Sequence, residues 1–161
     1  RAIDVDRDGW LELLADDGPD FAVFANPADG SANLNMGASD IGTGTKTWAA
    51  MIVAEELGVA VEKIQIEHAD TGTTQYATPS GGSKTVPSDS PAVRAAAFQV
   101  KQQLLEWAAS QLETDVDELE LAGGTIFNRR DPDTKVSVAE LQRLGRQGVV
   151  VGSTELPNVG H

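Results

Sequence analysis

Apolar and polar residues alternate along this chain with periods that change from segment to segment. Over 45–57 the spacing is helical, with Trp48, Met51 and Ile52 on one side and Gly58 as a natural stop. A second, longer helix ends near Leu112. Val93, Ala97, Val100, Leu104, Trp107 and Ala108 form its apolar stripe. Ser90-Pro91 suits the start of that helix, with Pro at the first helical position, and a start one turn earlier also fits. Over 137–146 a short helix is predicted, because Ser137 and Glu140 have the spacing of a capping box.

Between the helices, short runs read as strands: 1–6 and 9–14 about an Asp-Arg-Asp-Gly turn, 21–25, and 31–37 with weak alternation. Further strands are expected at 64–67, once or twice within 117–127 around Gly123-Gly124, and at 149–151. A long polar loop covers 70–83. Strands and helices alternate, which predicts a single α+β domain: a two-layer arrangement of a mixed β-sheet with helices packed on one face. The chain has no internal repeat and no low-complexity tract.

Composition narrows the functions available. The chain has 161 residues, enough for one domain with its own core, and its net charge of −13 argues against a nucleic-acid surface. No apolar run approaches a membrane span. Cysteine is absent, which removes disulfides, thiolate metal sites and cysteine nucleophiles. Two histidines, His68 and His161, cannot build a His-based metal site within the chain. The chain opens on Arg1 rather than Met and stops on Pro157-Asn-Val-Gly-His161, which reads as a piece of a longer protein.

Several familiar patterns fail on inspection. Asp4-Val-Asp-Arg-Asp-Gly9 opens like a calcium loop, but Ala15 stands where the bidentate Glu belongs, and a hairpin turn is the better reading. Residues 41–47 are not a Walker motif, because Thr45 separates Gly44 from Lys46. Thr47 replaces the third glycine of a dinucleotide fingerprint. His68 and Asp70 lack a serine nucleophile placed to use them.

Two loops survive this pruning: Ile41-Gly-Thr-Gly-Thr-Lys-Thr47 and Pro79-Ser-Gly-Gly-Ser-Lys-Thr85. Glycines let a backbone approach a ligand, helix N-termini favour phosphate, and Thr43, Thr45, Thr47, Ser80, Ser83 and Thr85 add hydroxyls. Both loops would lie at one end of a βαβ-like unit and form a cofactor crevice. A simpler reading treats each as a turn with good capping residues.

Five segments in order then carry a resemblance. They are Asp40-Ile-Gly-Thr-Gly-Thr-Lys-Thr47, Ile52-Val-Ala-Glu-Glu-Leu-Gly58, Asp70-Thr71, Ser80-Gly-Gly-Ser-Lys-Thr85 and Pro91-Ala-Val-Arg-Ala-Ala-Ala97. With Ser137-Val-Ala-Glu-Leu141 they resemble the molybdopterin-binding large subunit of the xanthine dehydrogenase and aldehyde oxidase family, from about residue 32 to 141.

The resemblance implies a β-α-β-α-β lobe for a molybdenum cofactor in an oxidoreductase that hydroxylates aldehydes or N-heterocycles with water-derived oxygen. Cofactor-binding positions would be Gly42, Thr43, Gly44, Ser80, Gly81, Gly82, Ser83 and Thr85, with no direct metal ligand. The family often has Gly-Gln in the first loop; here Gly42 keeps the glycine and Thr43 replaces the glutamine, so that contact is lost, shifted or bridged by water. Gly81 and Gly82 fall where small residues leave room for substrate, while Ser80, Ser83 and Thr85 fall where the pterin or its phosphate is held. Lys46 and Lys84 have no firm counterpart.

The family's catalytic base is a glutamate in a Gly-Glu-Pro context, a tripeptide this chain does not contain, so the chain alone is expected to be inactive. Implied companions are the rest of the large subunit, an iron–sulfur subunit and, as a further option, an FAD subunit. The pterin's cytosine dinucleotide form is likewise an option, and the resemblance allows a cytoplasmic or a periplasmic parent. A phosphate- or nucleotide-binding module without redox chemistry would use the same loops.

Overall fold

The computed structural model describes residues 4–5, 11–12, 21–26, 29–70, 72–74, 77, 79–141 and 150–154. Strands β1 (Asp4–Val5) and β2 (Leu11–Glu12) pair antiparallel, as the hairpin reading expects. Strands β3 (Phe21–Asn26) and β4 (Ser31–Met36) form a second hairpin about Asp29-Gly30, whose Gly30 adopts φ 70°. Helix α1 (Thr45–Leu57) then returns the chain to β5 (Ile64–His68), which runs parallel to β4. Helix α2 (Thr85–Leu112) follows. After it come β6 (Leu119–Ala122), β7 (Thr125–Asn128), β8 (Lys135–Ser137), the single-turn α3 (Val138–Leu141) and β9 (Val150–Thr154).

The main sheet is mixed, in the order β5-β4-β3-β9, with β9 antiparallel to β3. Alternation sorts its faces. Phe21, Val23, Ala32, Leu34 and Met36 point into the core beneath α1 and α2, while Ala22, Phe24, Asn33 and Asn35 occupy the opposite face. The predicted two-layer arrangement is therefore what forms.

Helix α1 keeps its predicted bounds, and Trp48 and Ile52 pack against the core as expected, but Met51 does not. Ala49, Ala50, Val53, Ala54 and Leu57 are buried, whereas Met51 is 56 % exposed. Those alanines share the core with Ala92, Ala96 and Ala97 of α2, so small residues supply much of the buried face of both helices. Charge crosses between the two helices at Glu56, which accepts from Arg94 Nε at 2.6 Å and lies 3.7 Å from Lys101 Nζ.

Helix α2 starts at Thr85, six residues before Pro91, rather than at Ser90-Pro91. Proline removes one helical N–H bond, and Pro87 and Pro91 are both exposed, so water can take the carbonyl left over. Its predicted stripe is buried at Val93, Ala97, Val100, Leu104 and Ala108, with Trp107 partly buried.

Along β9, α2 stands in for a neighbouring strand. Gln99 Oε1 accepts the Ser153 N–H at 3.1 Å, and Gln103 Nε2 donates to the Val151 carbonyl at 2.8 Å. Between them Gly152 is pressed against the helix: a Cβ there would overlap the Ala96 carbonyl oxygen and come within 2.9 Å of Val100.

Strands β6, β7 and β8 form a separate antiparallel sheet, which the strand pattern alone does not reveal. Leu119, Leu121, Ile126, Val136 and Leu141 join it to the common core. The capping box at α3 is complete: Glu140 Oε2 accepts from Ser137 N and Oγ, and Ser137 Oγ accepts from Glu140 N. Residues 142–146 of the predicted helix, residue 149, and Ala15, Thr71 and His161 lie outside the described residues.

Candidate functional site

Because β4 and β5 are parallel and α1 connects them, the C-terminal ends of both strands and the N-terminus of α1 lie at one end of the domain. Residues 37–44 lead from β4 into α1, and residues 69–84 lead from β5 into α2. The two predicted loops meet there, with Ser80 Oγ donating to the Ser39 carbonyl at 3.4 Å.

The first loop is shaped by Asp40. Its Oδ1 accepts from Gly42 N at 2.9 Å and Gly44 N at 3.2 Å, and its Oδ2 accepts from Lys46 N at 3.3 Å. Gly42 and Gly44 sit at φ 94° and 73°, which glycine adopts without steric cost. Thr45 is fully buried, its hydroxyl 3.2 Å from that of the exposed Thr43. Desolvation raises the Asp40 pKa, but the amide bonds from Gly42, Lys46, Gly44 and Thr43 outweigh it and hold the carboxyl below its ordinary value.

The second loop places two consecutive residues in the left-handed region, Gly82 at φ 60° and Ser83 at φ 56°. For Ser83 this costs about 1 kcal/mol. Lys84 N donates to the Gly81 carbonyl at 3.2 Å and closes the turn. The N-cap of α2, Lys84, makes no side-chain cap bond. Gly81, Gly82 and Ser83 are exposed, and Ser80 and Thr85 half-buried. A Cβ built on Gly42, Gly44, Gly81 or Gly82 meets nothing within 4 Å, so all four glycines border open space.

All eight predicted positions therefore gather on these two adjoining loops. His68, at the same end and opposite Met36, is the last residue of β5 and half-buried. Its Nδ1 and the Trp48 Nε1 in the first turn of α1 are buried without a hydrogen-bond partner among the described residues. Asp70 builds a turn instead of pairing with His68: its Oδ1 accepts from Gly72 N, and its carbonyl from Thr74 N and Oγ1. No cluster of three potential metal ligands occurs among the described residues.

The sequence alone assigns Asp40 and Ser39 no part in the site and reads Trp48 only as an apolar helix position. Asp40 stands two residues before a glycine, the spacing of an Asx-turn, which was the available signal. The site offers hydroxyls and exposed glycine backbone. Such a donor set suits a polar cofactor gripped without a protein–metal bond.

Comparison with known proteins agrees. The profile of the molybdopterin cofactor-binding domain matches residues 15–156. The gamma subunit of the 6-hydroxypseudooxynicotine dehydrogenase complex of Paenarthrobacter nicotinovorans is 36 % identical over 112 residues, covering 70 % of this chain and 14 % of that protein. The carbon monoxide dehydrogenase large chain of Hydrogenophaga pseudoflava is 36 % identical over 91 residues, covering 56 % of this chain and 11 % of that one. Among solved structures, reconstituted CO dehydrogenase from Oligotropha carboxidovorans superposes with a TM-score of 0.71 at 26 % identity, covering 88 % of this chain and 20 % of that chain. The chain thus spans no more than a fifth of the length of these relatives.

Proposed function

We propose, since this chain belongs to the molybdopterin cofactor-binding domain family, that it forms one lobe of the cofactor clamp in a longer molybdenum hydroxylase subunit. The observation that carries this reading is the meeting of loops 39–44 and 79–85 at one end of the β4–α1–β5 unit, four glycines facing open space. When bound, a molybdenum–pterin group supplies the transfer of a water-derived oxygen to an aldehyde or electron-poor ring carbon and the removal of its electrons.

This chain's residues bind and orient. Gly42, Gly44, Gly81 and Gly82 give backbone access, and Thr43, Ser80, Ser83 and Thr85 supply hydroxyls or amides along the pterin. Thr43, exposed where much of the family has glutamine, meets its neighbours through one short hydroxyl. The general base, the substrate-lining residues, the iron–sulfur centres and any FAD belong to other segments or subunits. The cytosine dinucleotide form of the pterin is consistent with the bacterial relatives. No helix among the described residues is long and apolar enough to cross a membrane.

The test is molybdenum content with released pterin fluorescence on the full-length subunit from its own host. Stoichiometric metal and pterin are expected. The absence of both would overturn the reading in favour of a phosphate- or nucleotide-binding module, which saturable binding of a simple nucleotide would then identify.

A further inference from the structure

Two of the amides that make a helix N-terminus attractive to phosphate, Gly44 N and Lys46 N, are already occupied in α1. Asp40 stands five residues before Thr45 and folds back over the helix start. One carboxylate oxygen takes Gly42 N and Gly44 N, and the other takes Lys46 N. Those are positions a phosphate oxygen would seek, and the occupant carries the same sign of charge. At α2 the N-cap residue, Lys84, makes no side-chain cap bond, as is also true of Gly44 at α1, and Pro87 contributes no N–H at all. What sets the start of α1 apart is the carboxylate that reaches it from Asp40.

We infer that Asp40 is a built-in anion: a positioning residue that closes the N-terminus of α1 to phosphate, so that loop 41–44 meets a cofactor only through its uncharged surface, Thr43 included. A phosphate brought to this end would have to displace a carboxylate already holding three amides, or lie beside it as a like charge. Only the identity of the cofactor rests on the proposed function. The closure belongs to the chain itself and exists before any cofactor binds.

The test is hydrogen–deuterium exchange across residues 41–46 in the full-length subunit prepared without cofactor, with inorganic phosphate as the probe. In the wild-type protein these amides should exchange slowly, at a rate that millimolar phosphate does not change. Asp40→Ala should raise their exchange roughly fivefold, the size expected for loss of a helix cap, and phosphate should slow it again. Asp40→Asn, which retains one oxygen, should keep Gly42 and Gly44 protected and lose protection at Lys46. Slower exchange of the wild-type amides in phosphate would overturn the inference. So would wild-type exchange in Asp40→Ala, or a fast Asp40→Ala that phosphate does not slow, because Asp40 would then only shape the loop. Metal content measured on the loaded protein judges the proposed function separately.

Discussion

Glu56 of α1 accepts a 2.6 Å hydrogen bond from Arg94 of α2, and the two ends of that bond live in different media: the Glu56 side chain is 11 % exposed and that of Arg94 71 %. The carboxylate, not the guanidinium, is therefore the group at risk. Arg94→Ala would leave it with Lys101 alone at 3.7 Å and should cost about 1 kcal/mol, the exposed partner limiting the effect. Glu56→Met removes the enclosed charge together with its need for partners and should stay within about 1 kcal/mol of wild type. In a double-mutant cycle followed by urea denaturation, the cost of Arg94→Ala should vanish in the Glu56→Met background.

Gly152→Ala should be among the costliest single substitutions in the chain. The added methyl overlaps the Ala96 carbonyl oxygen and crowds Val100, and a helix backbone cannot swing aside as a side-chain tip can. The expected loss is about 3 kcal/mol, the upper end for overpacking. It would be read as a lowered denaturation midpoint, with Ser153→Ala as a mild neighbour for comparison.

Acid should weaken the first loop through Asp40. Its folded pKa lies below the ordinary carboxylate value, so the native state binds fewer protons than the unfolded chain as the two titrate. The contribution is fully present above the unfolded pKa and is lost as pH falls through the folded one, below about pH 4. Asp40→Asn should lower the neutral-pH plateau and flatten that acid limb; an unchanged limb would show that the amide bonds do not persist in solution.

Gly81 separates a need for space from a need for backbone freedom. It lacks the left-handed φ of Gly82, and a methyl on it meets nothing within 4 Å. Gly81→Ala should therefore leave stability within about 0.5 kcal/mol yet lower the molybdenum content of the full-length subunit. Gly82→Ala carries an added backbone cost of about 1 kcal/mol. Wild-type metal content in Gly81→Ala would remove this glycine from the cofactor surface.

Local rules account for what could be read in advance. Gly58 ends α1 at φ 61°, and Ser137 and Glu140 close their box as the spacing requires. What was misjudged depends on distance or on small residues. Met51 looked like core because large apolar side chains dominate a periodicity, yet it is exposed and alanines fill much of the buried face of α1. Pro91 looked like a first-turn residue, but an exposed proline can sit in a second turn where water accepts the orphan carbonyl. The separate sheet of β6, β7 and β8 is held by tertiary placement that strand patterns do not encode. In the candidate site, the glycines and hydroxyls were visible as composition. The grip of Asp40 on amides up to six residues away was not, because it depends on a loop conformation no spacing rule describes.

The glutamines that face β9 also bear on how separate molecules of this chain meet. A sheet with two free edges can add copies without limit, each supplying the next with a template. Here Gln99 accepts from the outward Ser153 N–H and Gln103 donates to the outward Val151 carbonyl, so the β9 edge meets a helix where a further strand would dock. Two of its outward groups are thus withheld from a neighbouring copy, which makes β9 a poorer template than a bare strand edge.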